Sequence, residues 1–137
     1  MDRRDFQRLA DTRIRDAVAL MEGRRYAGAY YLAGYAVECG LKACIAKQTR
    51  RHEFPDRGLV SQSYTHDLAK LVKAAGLETQ RDADVADDPL FGSNWAVAKD
   101  WSEQSRYETK SRSEATALSN AITDPAHGVM QWLHRHW

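Results

Sequence analysis

Apolar positions recur at helical spacing along nearly the whole chain, and no segment sustains an alternation of period two. Phe6, Leu9, Ile14, Val18 and Met21 mark a first helix over residues 3–22, which Gly23 ends. A second helix runs from about Arg25 to Gln48. A polar loop follows, "TRRHEFPDRGLVSQSY", with Pro55 and Gly58 as breakers. Thr65 is placed to cap a third helix, "HDLAKLVKAAG", with Asp67 in its first turn and Gly76 at its end. An acidic connector, Glu78 to Asp88, leads to a fourth helix with Asp88 as N-cap and Pro89 at its first position. Phe91, Trp95, Ala98 and either Trp101 or Ser102 form its face. After the turn "QSRYETK", Ser111 and Glu114 have the spacing of a capping box. Ala115, Leu118, Ile122, Val129 and Leu133 then keep helical phase through a fifth helix, in which Pro125 predicts a kink or a brief break. The pattern predicts an all-α chain of five helices, organised as one domain over residues 1–137.

The second helix carries the sharpest signal. Of the 20 residues from Ala27 to Ala46, nine are Ala or Gly, so neighbouring helices can approach closely. Glu38 and Lys42 stand at i and i+4 in the favoured order, and with Tyr31 and Tyr35 they form one stripe. Val37, Leu41, Cys44 and Ile45 form another. A helix apolar nearly all round, with one polar stripe, belongs at the centre of a bundle with part of its surface lining a cleft or a subunit interface. Its length would suit a membrane span, but Glu38 and Lys42 would each cost about 2.5–3.5 kcal/mol near the centre, against about 0.3–0.6 returned by each Leu or Ile. No membrane span is expected.

Composition changes this picture little. Hydrophobic residues make up 43% and charged residues 28% of the 137 residues, the balance of an ordinary globule. The net charge of +1 is low for a protein that lives by generic phosphate contacts. It is unevenly spread, with 12 Lys/Arg against 8 Asp/Glu in residues 1–60 and 8 against 11 in residues 61–137. The two cysteines, Cys39 and Cys44, diverge by about 140° on a helix and cannot bond to each other. They fit buried thiols of a reduced, cytoplasmic protein. "MDRRDFQRLAD" at the start has no apolar stretch of the kind a secretory signal needs. No CxxC or HxxxH spacing and no carboxylate cluster suited to Mg²⁺ is evident, so neither a metal nor a cofactor is expected.

Three blocks in order, "AYYLAGYAVECGLKACIA", "THDLAKLV" and "SRYE", resemble the HEPN domain (higher eukaryotes and prokaryotes nucleotide-binding). The resemblance rests on Tyr31, Ala33, Gly34, Ala36, Glu38, Leu41, Lys42 and Ala43; on Thr65, His66 and Leu68; and on Ser105, Arg106 and Tyr107. It implies an antiparallel helical bundle, often a homodimer, in a prokaryotic toxin–antitoxin or defence setting. A minimal nucleotidyltransferase or a larger defence complex is the implied partner, and RNA or a nucleotide the implied ligand. Many such proteins are metal-independent ribonucleases that use an Arg followed four to six residues later by His. This chain departs from that pattern. None of His52, His66, His127, His134 and His136 has an Arg at that spacing before it, and Glu108 stands where the family's turn has Pro.

The candidate ligand-binding residues are accordingly Glu38, Lys42 and Arg106, and the catalytic candidates His66, Arg106 and Tyr107. His66 can serve as a general base or nucleotide ligand, or simply hydrogen-bond to a neighbouring helix. Arg106 can clamp a phosphate through its planar fork, or pair with Glu38 or a backbone carbonyl. Glu38 and Lys42 can line a cleft, or form a structural ion pair. Lys47, Arg50, Arg51, His52 and Arg57 can offer a phosphate track or merely complement the helix dipole. Trp95, Trp101, Trp132 and Trp137 are expected in the core or an interface, with exposure the alternative for the terminal Trp137. The expectation is an interaction subunit with RNA or nucleotide binding, with a ribonuclease toxin as the alternative.

Overall fold

The computed structural model describes residues 1–49 and 53–137. Its α-helices are α1 (Arg3–Glu22), α2 (Tyr26–Ala46), α3 (Arg57–Gln62), α4 (Leu68–Ala74), α5 (Glu78–Asp87), α6 (Pro89–Ala98), α7 (Arg112–Thr123) and α8 (Val129–His134). A 3₁₀ helix, η1 (Glu103–Tyr107), lies between α6 and α7. Among the described residues there is no strand, and no helix is long and apolar enough to cross a membrane. The fold is all-α.

The expected count of five helices is too low. The first four predicted helices correspond to α1, α2, α4 and α6, and the fifth is divided into α7 and α8. Pro125 makes a break rather than a kink. The residue before a proline is driven to extended backbone, and Asp124 has φ −49° and ψ 123°. Its Oδ1 then accepts from the backbone N–H groups of Ala126 and His127, which tightens the turn into α8. Two further helices form where the sequence suggested loop. In α3, Asp56 caps the first turn by accepting from the Leu59 N–H at 2.9 Å. The acidic stretch Glu78–Asp87 coils into α5, which packs on α6 and fixes itself through Asp84, acceptor of the Trp132 indole N–H at 2.8 Å. The third predicted helix starts later than expected. Asp67, not Thr65, is its N-cap, accepting from the Lys70 N–H, while Thr65 Oγ1 accepts from the Asp67 N–H. The fourth ends at Ala98, so Trp101 and Ser102 follow it rather than belong to it.

The centre is α2. It packs against α1, α4, α7, α8 and η1, and 12 of its 21 residues are buried. Small side chains make that possible. Ala10 and Ala17 of α1 are buried against it, with Ala33 and Ala36 of α2 in the same core cluster. This turns α1 slightly from its expected face. Leu9 and Ile14 flank the contact, while Val18 is exposed. Phe91, Trp95, Trp101, Leu118, Ile122 and Trp132 close the core. Trp137, at the end of the chain, is half-buried and packs against it. Both cysteines are buried and unbonded.

Gly34 shows how tight the seam is. The Trp101 ring rests directly on it, and a methyl group there would collide with the ring's Cγ, Cδ1 and Nε1 atoms. Gly34→Ala should therefore destabilise by about 1–3 kcal/mol through overpacking, despite the gain of about 1 kcal/mol that Ala has over Gly in a helix. Gly28→Ala, whose new methyl would meet only the end of Leu20 at 3.3 Å, should be neutral or stabilising. Urea unfolding of the two variants checks the contrast. Equal midpoints would show that Trp101 yields freely and that the seam is loose.

The turn before α8 supplies a pH-dependent contact. His127 Nδ1 lies 2.7 Å from Asp88 Oδ2, and Asp88 also caps α6 through the Leu90 and Phe91 N–H groups. The Asp88 hydrogen bond raises the His127 pKa, and the same bond holds that of Asp88 below its usual value. A raised histidine stabilises fully below its unfolded pKa, and that contribution disappears as pH rises through the folded one. The depressed carboxylate does the opposite at the acid end. The pair therefore contributes most between about pH 4 and pH 6.5. The difference in Tm between the parent and His127→Gln should be largest there and shrink above neutral pH.

Candidate functional site

Three chain segments converge on the polar stripe of α2. The Thr65–Asp67 cap turn sets His66 just ahead of α4, with its ring toward α2. Ser102 caps η1 by accepting from the Gln104 N–H, which puts Glu103 in the first turn of that helix. The third segment is α2 itself, where Glu38 and Lys42 are one turn apart. At the meeting point the Glu38 side chain is 2% exposed. Its Oε1 accepts from Lys42 Nζ at 2.9 Å and lies 2.9 Å from His66 Nδ1. The other ring nitrogen, Nε2, lies 3.2 Å from Glu103 Oε2. His66 thus has a carboxylate oxygen against each of its ring nitrogens.

Arg106 and Tyr107 are elsewhere on η1. The guanidinium lies over the Tyr107 ring, 4.9 Å from its centroid, and Tyr107 is 73% exposed. Tyr107 foremost, and Tyr31 after it, raise the Arg106 pKa further. The pairing of Arg106 with Glu38, one of the alternatives for that residue, is not made. Among the described residues no carboxylate lies within ion-pair distance of Arg106, and Lys42 and His66 hold Glu38 instead. The stripe is thus divided: a closed charge cluster around Glu38, and an open cation beside Tyr31 and Tyr107.

Aromatic side chains join the two. Tyr31 stacks on Tyr35 and on Trp101, each at 6.1 Å between ring centroids. Burial, and then the neighbouring Cys39, push the Tyr35 phenol up to about 12, and burial pushes the Cys39 thiol up to about 11. Both therefore stay neutral at physiological pH, which makes Cys39 a packing residue and not a nucleophile. Glu103, Trp101 and Ser105 belong to this site and were not among the candidates. Glu103 lies in a short 3₁₀ turn without apolar periodicity. The only signal for it was its position after Ser102, a capping residue.

Of the proposed basic track, Arg50, Arg51 and His52 lie outside the described residues. Lys47 donates to the His136 carbonyl at 3.3 Å, and Arg57 opens α3 on the surface. A groove of about 1080 Å³ runs between the start of α1, the end of α2 and α3, lined by Arg3, Arg4, Phe6, Lys42, Lys47 and Val60 among others. Lys42 alone links this groove to the Glu38 cluster. A smaller concavity of about 370 Å³, lined by Asp84, Asp87 and Asp88 with Arg135 and His136, lies apart from the candidate residues.

No family model, curated protein or solved structure matches the chain.

The geometry separates two kinds of variant. Lys42→Met combined with His66→Leu leaves the buried Glu38 carboxylate without either of its partners and should lower stability by about 3–5 kcal/mol. Arg106→Ala, at an exposed position without an ion-pair partner among the described residues, should stay within about 0.5 kcal/mol of the parent. Chemical denaturation of both variants measures this. A large loss in Arg106→Ala would return that residue to a structural role.

Proposed function

We propose that the chain is a HEPN-like helical domain of a prokaryotic toxin–antitoxin or defence system, built as an antiparallel bundle. It works in the cytoplasm mainly as an interaction subunit that binds RNA or a nucleotide. One observation carries the reading. His66, the titratable group a nuclease would use, has a carboxylate against each ring nitrogen, while Arg106 is exposed and has no carboxylate partner among the described residues. A general base needs a free nitrogen within reach of the proton it removes. A phosphate clamp needs an unpaired guanidinium, and an adjacent phenol offers a face on which a base can stack. The arrangement suits binding better than proton transfer. The resemblance of the three sequence blocks supplies the biological setting, and the absence of the family's Arg-to-His spacing agrees with a non-catalytic role.

The alternative is a metal-independent ribonuclease toxin paired with a minimal nucleotidyltransferase. The Glu38–His66 contact favours it, because a carboxylate on Nδ1 is how a catalytic histidine is oriented. Glu103 would then have to leave Nε2 when substrate enters.

Fluorescence anisotropy with labelled single-stranded RNA distinguishes the readings. Arg106→Ala should weaken binding about tenfold to a hundredfold, the range of a charge-assisted hydrogen bond. It should also reduce the salt slope by about 0.7. His66→Ala should leave affinity unchanged. Binding indifferent to Arg106 removes the proposal, and cleavage by the parent that vanishes in His66→Ala establishes the alternative. Homodimerisation, the other expectation of this reading, predicts twice the chain mass in sedimentation at micromolar concentration; a monomer would direct attention to a hetero-partner.

A further inference from the structure

The groove between the start of α1, the end of α2 and α3 joins apolar and cationic side chains. Buried Ile45 and half-buried Phe6 and Leu59 line it, with exposed Val60. Arg3, Arg4, Lys42 and Lys47 line it too, against one described lining carboxylate, that of Asp2. Asp2 is already engaged as the N-cap of α1, accepting from the Asp5 N–H at 2.9 Å. Lys42 is committed to Glu38. Arg3 and Lys47 each give an N–H to a backbone oxygen, of Trp137 at 2.6 Å and of His136 at 3.3 Å. A guanidinium has five such groups and an ammonium three, so both are held in place with donors to spare. The helix that forms one wall is uncovered: α3 has six residues and buries none of them. A helix that short is marginal in water by itself. Met1, Phe54, Val60 and Tyr64 are four of the eight large hydrophobic side chains exposed among the described residues, and all belong to the α1 start or to residues 53–64 around α3. Exposed apolar side chains concentrated beside a rim of charge mark a docking face.

Size and lining narrow the occupant. The volume, about 1080 Å³, lies at the upper end of the range of small-molecule sites, about 300–1,000 Å³, which suits a segment of chain. The walls are helices, and among the described residues no strand edge is present for β-pairing, which leaves the mode in which an amphipathic helix lies in a groove. Ile45, Leu59 and Val60 offer a nucleic acid no ring to stack on, whereas they suit Leu or Ile anchors. The surplus of cations selects carboxylates beside those anchors. We infer that this groove is the docking surface for an acidic amphipathic helix of a partner protein. Its apolar face lies on Ile45, Leu59 and Val60, and its carboxylates meet Arg3, Arg4 and Lys47. Such charge complementarity selects the partner and its orientation more than it adds affinity. The inference rests on the interaction-subunit reading and is independent of RNA binding at Arg106, which lies on η1.

The test is fluorescence anisotropy of the full chain with a labelled peptide of about 14 residues, Leu at i, i+3, i+4 and i+7 and Glu on the flanks. The chain should bind it and ignore the same peptide with Lys for Glu. Arg4→Glu should weaken binding about tenfold or more, the scale of a charge-assisted contact, and Val60→Asp by at least as much. Both positions are exposed, and unchanged urea midpoints confirm that the fold is kept. Arg106→Ala should leave peptide affinity as it is. No binding of the acidic peptide, or equal binding of the basic one, overturns the inference. So does displacement of the peptide by single-stranded RNA whose own affinity falls in Arg4→Glu, since the groove would then be a nucleic-acid surface. A dimer in sedimentation that Val60→Asp turns into a monomer would give the groove to a second copy, and would overturn it as well. RNA binding that fails while the acidic peptide still binds removes only the RNA reading. Peptide binding that fails while RNA still depends on Arg106 removes only the docking surface.

Discussion

A carboxylate buried in the middle of an apolar helix sets the terms for the rest of this fold. Glu38 is almost wholly removed from water, and an ionised group in that position is tolerable only with cations and hydrogen bonds around it. Lys42 comes from the same helix and costs the chain nothing in topology. His66 must be brought from the start of α4, and Glu103 follows from η1 to meet the other side of the ring. Meeting these demands fixes where α4 begins and why the segment after α6 folds back over α2 instead of running on as helix. The small residues of α2 allow the other helices to come close enough to seal the cluster.

The stripe that begins with Tyr31 and ends with Lys42 thus serves two ends. Seven residues, about 10 Å of helix, separate Tyr31 beneath the open Arg106 from Glu38 in the closed cluster. Tyr31, Tyr35 and Trp101 form a stacked aromatic layer along this stretch. A ligand anion near Arg106 would meet aromatic faces first and the Glu38–Glu103 carboxylates only later. This order of contacts favours holding an anion over transferring a proton.

Much of the fold was legible because helix starts and stops are local. Asp88–Pro89 and the Ser111–Glu114 capping box stand as the sequence suggested. The misses have local causes too. Helix α5 has no apolar run, since its anchors are Asp84 under Trp132 and Val85 against the core, which only tertiary contact reveals. Asp67 took the cap from Thr65 because both types compete for the same orphan N–H groups. At the candidate site, the Glu38–Lys42 pair was visible because it lies within one turn. His66 and Glu38 are 28 positions apart, and no spacing rule spans such a distance. Whether Arg106 would pair with Glu38 or stay open to a ligand could not be read from charge alone, because Lys42 and His66 occupy the carboxylate only in the folded chain.

The convergence on Glu38 also implies an order of assembly. The α1–α2 hairpin is made of contacts close in sequence, and it can form early at small entropic expense. Residues 38, 66 and 103 are joined only when two long loops have closed, so the ion cluster belongs to the last stage of folding. Before then Glu38 is still hydrated and opposes docking of its own helix. Interactions absent from the transition state act mainly on the unfolding rate. The charges at the centre of this protein therefore act as a kinetic lock, slowing escape from the native state without hastening arrival.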